Sequence, residues 1–235
     1  FGKALIVAGS LNYMGAAALS SSAAYRSGVG LATVGAPGPV VMALAGNNME
    51  PTWLVLPHDM GVVSESAVDV LLKETENYSA LLVGPGMTQD DAAKNMLLRL
   101  LKSASEGPSK STRRNIGFMV DQAEAHNSAS ETKLPPLVLD ADALNILSKQ
   151  EDWWELVPAD TVITPHPGEM ARLCGVETTH VVENRWQLAL EKAKAWNVTV
   201  LLKGAHTLIA SPDGRSAVLP FKTDALATAG TGDVL

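Results

Sequence analysis

The chain has 235 residues, 46% of them hydrophobic and 18% charged, which suits one large α/β domain able to bury its core without disulfides or metals. Its net charge of −7 comes with no long basic run, which argues against a nucleic-acid groove, and no segment reaches the roughly 18 apolar residues of a membrane span. The single cysteine, Cys174, excludes an intramolecular disulfide and reads as a small buried hydrophobe in a protein of the reducing cytoplasm.

The chain opens inside Phe1-Gly2-Lys3-Ala4-Leu5-Ile6-Val7, the lead-in to a strand over residues 4–8. Ala8-Gly9-Ser10 then turns toward Gly15-Ala16-Ala17, the start of an alanine-rich helix over 15–26 whose free N–H groups can meet an anion. A strand over 31–34 and a helix over 64–74 follow. The strand over 81–83 ends in Gly84-Pro85-Gly86, a sharp turn. A helix over 90–102 leads into residues 103–134, rich in Ser, Lys, Glu, Asn and Gly. That stretch is too long for an ordinary loop and reads as a surface insertion without a catalytic role.

The strand over 137–139 runs into Asp140-Ala141-Asp142-Ala143-Leu144-Asn145, the start of a helix over 141–148. The strand over 161–164 runs into Pro165-His166-Pro167-Gly168-Glu169 and a helix over 168–173. A helix over 183–196 precedes a strand over 199–202 and the turn Lys203-Gly204-Ala205-His206-Thr207. Residues 207–210 and 217–219 form a hairpin around Ser211-Pro212-Asp213-Gly214. The chain closes on Thr228-Ala229-Gly230-Thr231-Gly232-Asp233 and the first residues of a helix, so both ends read as cut. Continuous apolar strands alternating with helices predict a three-layer α/β/α sandwich on a mainly parallel sheet, with an antiparallel edge, in a single domain over 1–235.

Ligands of an open parallel sheet bind at the carboxyl ends of its strands, and the marked residues lie there. One carboxylate of Asp140 and Asp142 can cap the helix, leaving the other for magnesium or a polar substrate. Two prolines orient His166, which favours a functional role. Glu169 reads either as a first-turn helix residue or as a metal-side carboxylate. Lys203 reads either as a partner of nucleotide phosphates or as a surface edge lysine. In the last turn, glycines aim N–H groups into one concavity, and an aspartate would repel a bound anion unless it served as a base. The chain has neither a Gly-x-x-x-x-Gly-Lys-Ser/Thr loop nor a Rossmann Gly-x-Gly-x-x-Gly, which disfavours hydride transfer. His58, His126, His180 and His206 lack zinc-ligand spacing.

These turns, in this order, resemble those of the nucleotide-dependent NAD(P)H-hydrate dehydratases of the ribokinase-like superfamily. The Asp-Ala-Asp-Ala-Leu-Asn and His-Pro-Gly-Glu pieces carry most of the likeness. The resemblance implies a ribokinase-like fold and ADP- or ATP-dependent dehydration of the 6-hydroxy hydrates of NADH and NADPH. It implies Asp233 as catalytic base. Gly15, Ala16, Gly86, Asp142 and His166 would join Asp233 around the hydrate. Lys203, Gly204, Ala205, His206, Thr207, Gly230, Thr231 and Gly232 would hold nucleotide, magnesium would bridge the phosphates, and Glu169 is a candidate ligand for that metal. A tetramer or larger homo-oligomer is implied too. A vitamin-precursor kinase of the same superfamily is the alternative reading.

Overall fold

The structure, a computed structural model, describes residues 1–105, 134–223, 225 and 227–235. In chain order the elements are β1 (Lys3–Val7), α1 (Met14–Arg26), β2 (Leu31–Pro37), α2 (Gly38–Leu44), β3 (Thr52–Leu56), β4 (His58–Asp59), β5 (Val62–Val63), α3 (Ala67–Glu74), β6 (Ala80–Val83) and α4 (Asp91–Ser105). Then come β7 (Leu137–Leu139), α5 (Asp142–Leu147), β8 (Val162–Ile163), α6 (Pro167–Cys174), α7 (Thr178–Glu183), α8 (Arg185–Trp196), β9 (Thr199–Leu202), β10 (Leu208–Ala210), β11 (Ser216–Val218) and α9 (Thr231–Val234). Among the described residues, nine strands form one sheet in the order β11-β10-β9-β8-β7-β6-β1-β2-β3. Pairing is parallel throughout except where β10 meets β9 and β11. β4 and β5 form a separate small ribbon.

The strands read as near-continuous apolar runs because both faces are covered. Successive residues of β1 point to opposite faces. Leu5 and Val7 join the larger core with α3, α4, α5, α6 and α8, while Ile6 and Ala8 join a smaller core with α1 and α2. The small core is built of Ala17, Ala32, Ala36, Val34 and Val40, so α1 lies close on the sheet. Trp153 and Trp196 pack at 4.8 Å in the larger core.

Several local features depart from the sequence expectation. An additional parallel strand, β3, forms one sheet edge. The predicted helix over 183–196 is α8, and an additional short helix, α7, precedes it; the two meet at Asn184 in a non-helical conformation. The expected insertion over 103–134 is shorter than drawn: residues 103–105 continue α4, and Leu134 lies in the core. Its remainder, 106–133, lies outside the described residues.

Candidate active site

Backbone hydrogen bonds continue the parallel ladder past the strand ends and set the chemistry-bearing turns side by side. Gly84 N donates to Val7 O at 3.2 Å, Asp140 N to Val83 O at 3.2 Å, Thr164 N to Leu139 O at 3.2 Å, and Lys203 N to Pro165 O at 2.8 Å. Gly9 N donates to Pro85 O at 2.8 Å and ties the first turn to the second. Gly84 is required here: at φ +137°, a Cβ would lie 1.9 Å from Asp140 O, so no other residue lets these two turns approach.

A cleft of about 730 Å³ opens over these turns. Gly15 and Ala16 of α1, Gly86 of the second turn, Asp142 at the start of α5, and Gly230 and Asp233 of the last turn line it. The sequence reading thus placed five of its substrate-side residues on one wall, together with Gly230. It did not single out Asn12, Tyr13, Thr88 and Gln89, which share that wall. They follow the first and second strand-end turns, a position that could have marked them.

Asp140 and Asp142 diverge because Ala141 between them holds φ 50° and ψ −115°, a conformation seldom adopted by a residue with a Cβ. Asp142 accepts from Thr88 N at 2.9 Å and Gln89 Nε2 at 3.3 Å, closing the cleft wall. Asp140, which is buried, accepts from Lys203 Nζ at 2.7 Å. Neither side chain caps α5, which corrects the expectation that one of them would.

His166 and Glu169 also sit differently from the expectation. His166 does not line this cleft. Its Nδ1 accepts from Gly168 N at 3.0 Å and Glu169 N at 3.3 Å, while Glu169 Oε2 accepts from His166 N at 2.8 Å. This is a reciprocal capping box at the start of α6. Burial, then the positive charges of Lys203 and Arg172, hold the imidazole pKa below its ordinary value. A neutral ring accepting at Nδ1 carries its proton on Nε2, which lies 3.5 Å from Glu169 Oε1. Of the two readings left open for Glu169, the geometry gives the helix-start one. Among the described residues no group of three or more His, Cys, Asp or Glu could hold a metal ion.

Lys203 is neither a free surface lysine nor pointed away from the site. Its Nζ also lies 3.8 Å from Glu169 Oε2 and would be 3.7 Å from a Cβ on Gly232. The last turn therefore rests on a paired ammonium. Asp233 in that turn is half-buried, and its carboxyl pKa is raised, first by burial, then by Asp140 and Asp142, with Lys203 opposing. A half-buried carboxylate with a raised pKa, open to a cleft, is suited to accept a proton. Thr231 N donates to Thr228 O at 3.4 Å, and Asp233 N and Val234 N donate to Gly230 O at 3.1 and 3.2 Å. Gly204 to Thr207 lie apart from the cleft wall, in the β9–β10 turn.

A family model described as NAD(P)H-hydrate dehydratase matches residues 4–108 and 116–235. The bifunctional NAD(P)H-hydrate repair enzyme of Moorella thermoacetica is 34% identical over 236 residues, which cover 100% of this chain and 39% of that protein. The chain thus spans about two-fifths of that relative's length. The crystal structure of ADP/ATP-dependent NAD(P)H-hydrate dehydratase from Bacillus subtilis, co-crystallized with ATP/Mg2+, superposes with a TM-score of 0.72 at 30% identity, over 99% of this chain and 69% of that one. A ribokinase-like superfamily protein from Enterococcus faecalis superposes with a TM-score of 0.72 at 21% identity, over 99% of this chain and 68% of that one. That likeness extends to the fold, which is ribokinase-like.

Proposed function

Because the chain belongs to the NAD(P)H-hydrate dehydratase family, we propose that it restores NADH and NADPH from their 6-hydroxy hydrates at the expense of ADP or ATP. The observation that carries the reading is the cleft in which Asp233, with its raised pKa, faces Gly15, Ala16, Gly86 and Asp142. The small residues leave room for a flat ring against the backbone. Asp233 takes the proton of the hydrate's hydroxyl as that oxygen attacks the terminal phosphorus of the nucleotide. The amides of Gly230 and Gly232 stabilise the charge on the transferring group. The C–O bond then breaks, inorganic phosphate and a ring proton leave, and the dihydropyridine is restored. AMP or ADP is the other product.

The described residues supply no three-ligand cage, but magnesium carried on nucleotide phosphates needs only one or two carboxylates. Asp142 on the cleft wall fits that requirement, whereas Asp233 is kept for the proton and Glu169 is committed to its cap. Magnesium bound there supplies charge neutralisation for the phosphates. The ADP/ATP-dependent relative supports the choice of nucleotides. The proposal extends to one catalytic domain over 1–235, working in the cytoplasm as a tetramer or larger homo-oligomer. Among the described residues no helix is long and apolar enough to cross a membrane.

The test is recovery of absorbance in the NADH band when the protein meets NADH hydrate with ADP or ATP and magnesium. Nucleotide-dependent recovery with stoichiometric phosphate release is expected. No recovery with either nucleotide would remove the reading.

A further inference from the structure

Arg185, the first residue of α8, plays no part in the cleft, yet its guanidinium is wrapped by the turn between β9 and β10. Nη1 donates to Ala205 O at 2.7 Å, and Nη2 lies within reach of Leu202 O, Lys203 O and His206 O at 3.2, 3.3 and 3.4 Å. Its Nε is buried and unpaired among the described residues. The carbonyl missing from that set, Gly204 O, accepts from Thr207 Oγ1 at 3.2 Å. Every acceptor from Leu202 to His206 is therefore occupied.

The consequence follows from peptide planarity. In a trans peptide the C=O of one residue and the N–H of the next point in opposite directions. Drawing Lys203 O and His206 O toward Arg185 turns Gly204 N–H and Thr207 N–H away from it. The other two amides face away likewise and are already used: Lys203 N donates to Pro165 O, and His206 N to Phe221 O. A turn whose carbonyls faced outward would repel a polyanion. This one has its carbonyls gathered inward on a cation and its Lys203 ammonium held against the glycine turn. Gly204 is part of the device. At φ +145°, a Cβ there would meet Arg185 Nη2 at 2.9 Å, so a side chain would push the guanidinium out of the turn.

We propose that Arg185 is the positioning residue of the nucleotide turn: it gathers the carbonyls of 202–206 so that this segment presents N–H groups and Lys203 to the nucleotide's phosphates. The proposal rests on the reading of Lys203 to Thr207 as nucleotide contacts. It touches neither the hydrate nor the base.

Arg185→Ala and Arg185→Lys are assayed with NADH hydrate and ADP or ATP, each substrate varied in turn. The KM for nucleotide rises on the order of ten-fold or more in both variants, since one ammonium cannot replace a fork bridging separate carbonyls. The KM for hydrate and kcat at saturating nucleotide stay within about two-fold of wild type. Added guanidinium ion lowers the nucleotide KM of Arg185→Ala. An unchanged nucleotide KM overturns the proposal, and so does a parallel loss in both KM values and in melting temperature. If Arg185→Ala fails to fold, Arg185→Lys decides by the same KM split. A wild type without nucleotide-dependent turnover sinks the dehydratase reading instead. Amide hydrogen exchange then decides on Arg185: faster exchange across 203–207 in Arg185→Lys than in wild type supports the ordering role, and equal exchange overturns it.

Discussion

Two parts of the cleft are built by different means. The wall formed by the turns after β1, β6 and β7 is packed: Gly84 lies against Asp140 O, Ala16 Cβ would sit 2.8 Å from a Cβ on Gly86, and Asp142 is bonded to Thr88 N. The turn carrying Asp233 has largely exposed neighbours, rests on Leu19 of α1, and lies close to the Lys203 ammonium. Shape on one side comes from backbones too close to admit a side chain. Chemistry on the other comes from charges placed around a lightly held carboxylate. Substitutions in the packed wall should therefore act on folding, and those around Asp233 on the reaction and its pH dependence.

The largest effect tests the charged side. Asp233→Asn is nearly isosteric and half-exposed, so its melting temperature stays near wild type. Loss of a general base lowers kcat by about 10²–10⁴-fold, while nucleotide still binds. A variant retaining more than about a tenth of wild-type kcat would take the base assignment from Asp233.

The next tests the packed side. Gly84→Ala places a methyl on Asp140 O in a backbone conformation alanine resists, a loss of about 3 kcal/mol in stability. Denaturant melts should show it as a shifted midpoint. If the variant is as stable as wild type and only its KM for hydrate changes, the turns have more slack than their contacts indicate.

This division also bears on what could be read from the sequence. Glycine-marked strand ends were legible because glycine is what a forced close approach leaves behind. β7 and β9 were legible as short apolar runs buried on both faces. β3 was not, because it is a half-exposed edge with Val55 59% exposed, and α2 hid behind Gly38-Pro39, although proline is tolerated in a helix's first turn. The pairing of Lys203 with Asp140 joins residues 63 apart, and local sequence holds no signal for which opposite charges will meet. His166 is ambiguous for a related reason. Proline-held rigidity serves a helix cap as well as a catalytic group, and the backbone amides that it caps are invisible until α6 is placed.

The smallest effects are the sharpest probe of the charged side, because they carry opposite signs. Turnover needs Asp233 ionised, so activity falls as pH drops through its raised pKa. Lys203 opposes that rise. Lys203→Met therefore moves the acidic limb of the kcat profile to higher pH, and it destabilises the fold by leaving Asp140 buried without its partner. Asp142 contributes to the rise through its like charge, but less than burial or Asp140 does. Asp142→Asn keeps an acceptor for Thr88 N and removes the charge, so the limb moves to lower pH by a smaller amount. Profiles of kcat at saturating hydrate and nucleotide separate this shift from any change in binding. Limbs moving the same way in both variants would mean that the titrating group is not a carboxylate flanked by these two charges.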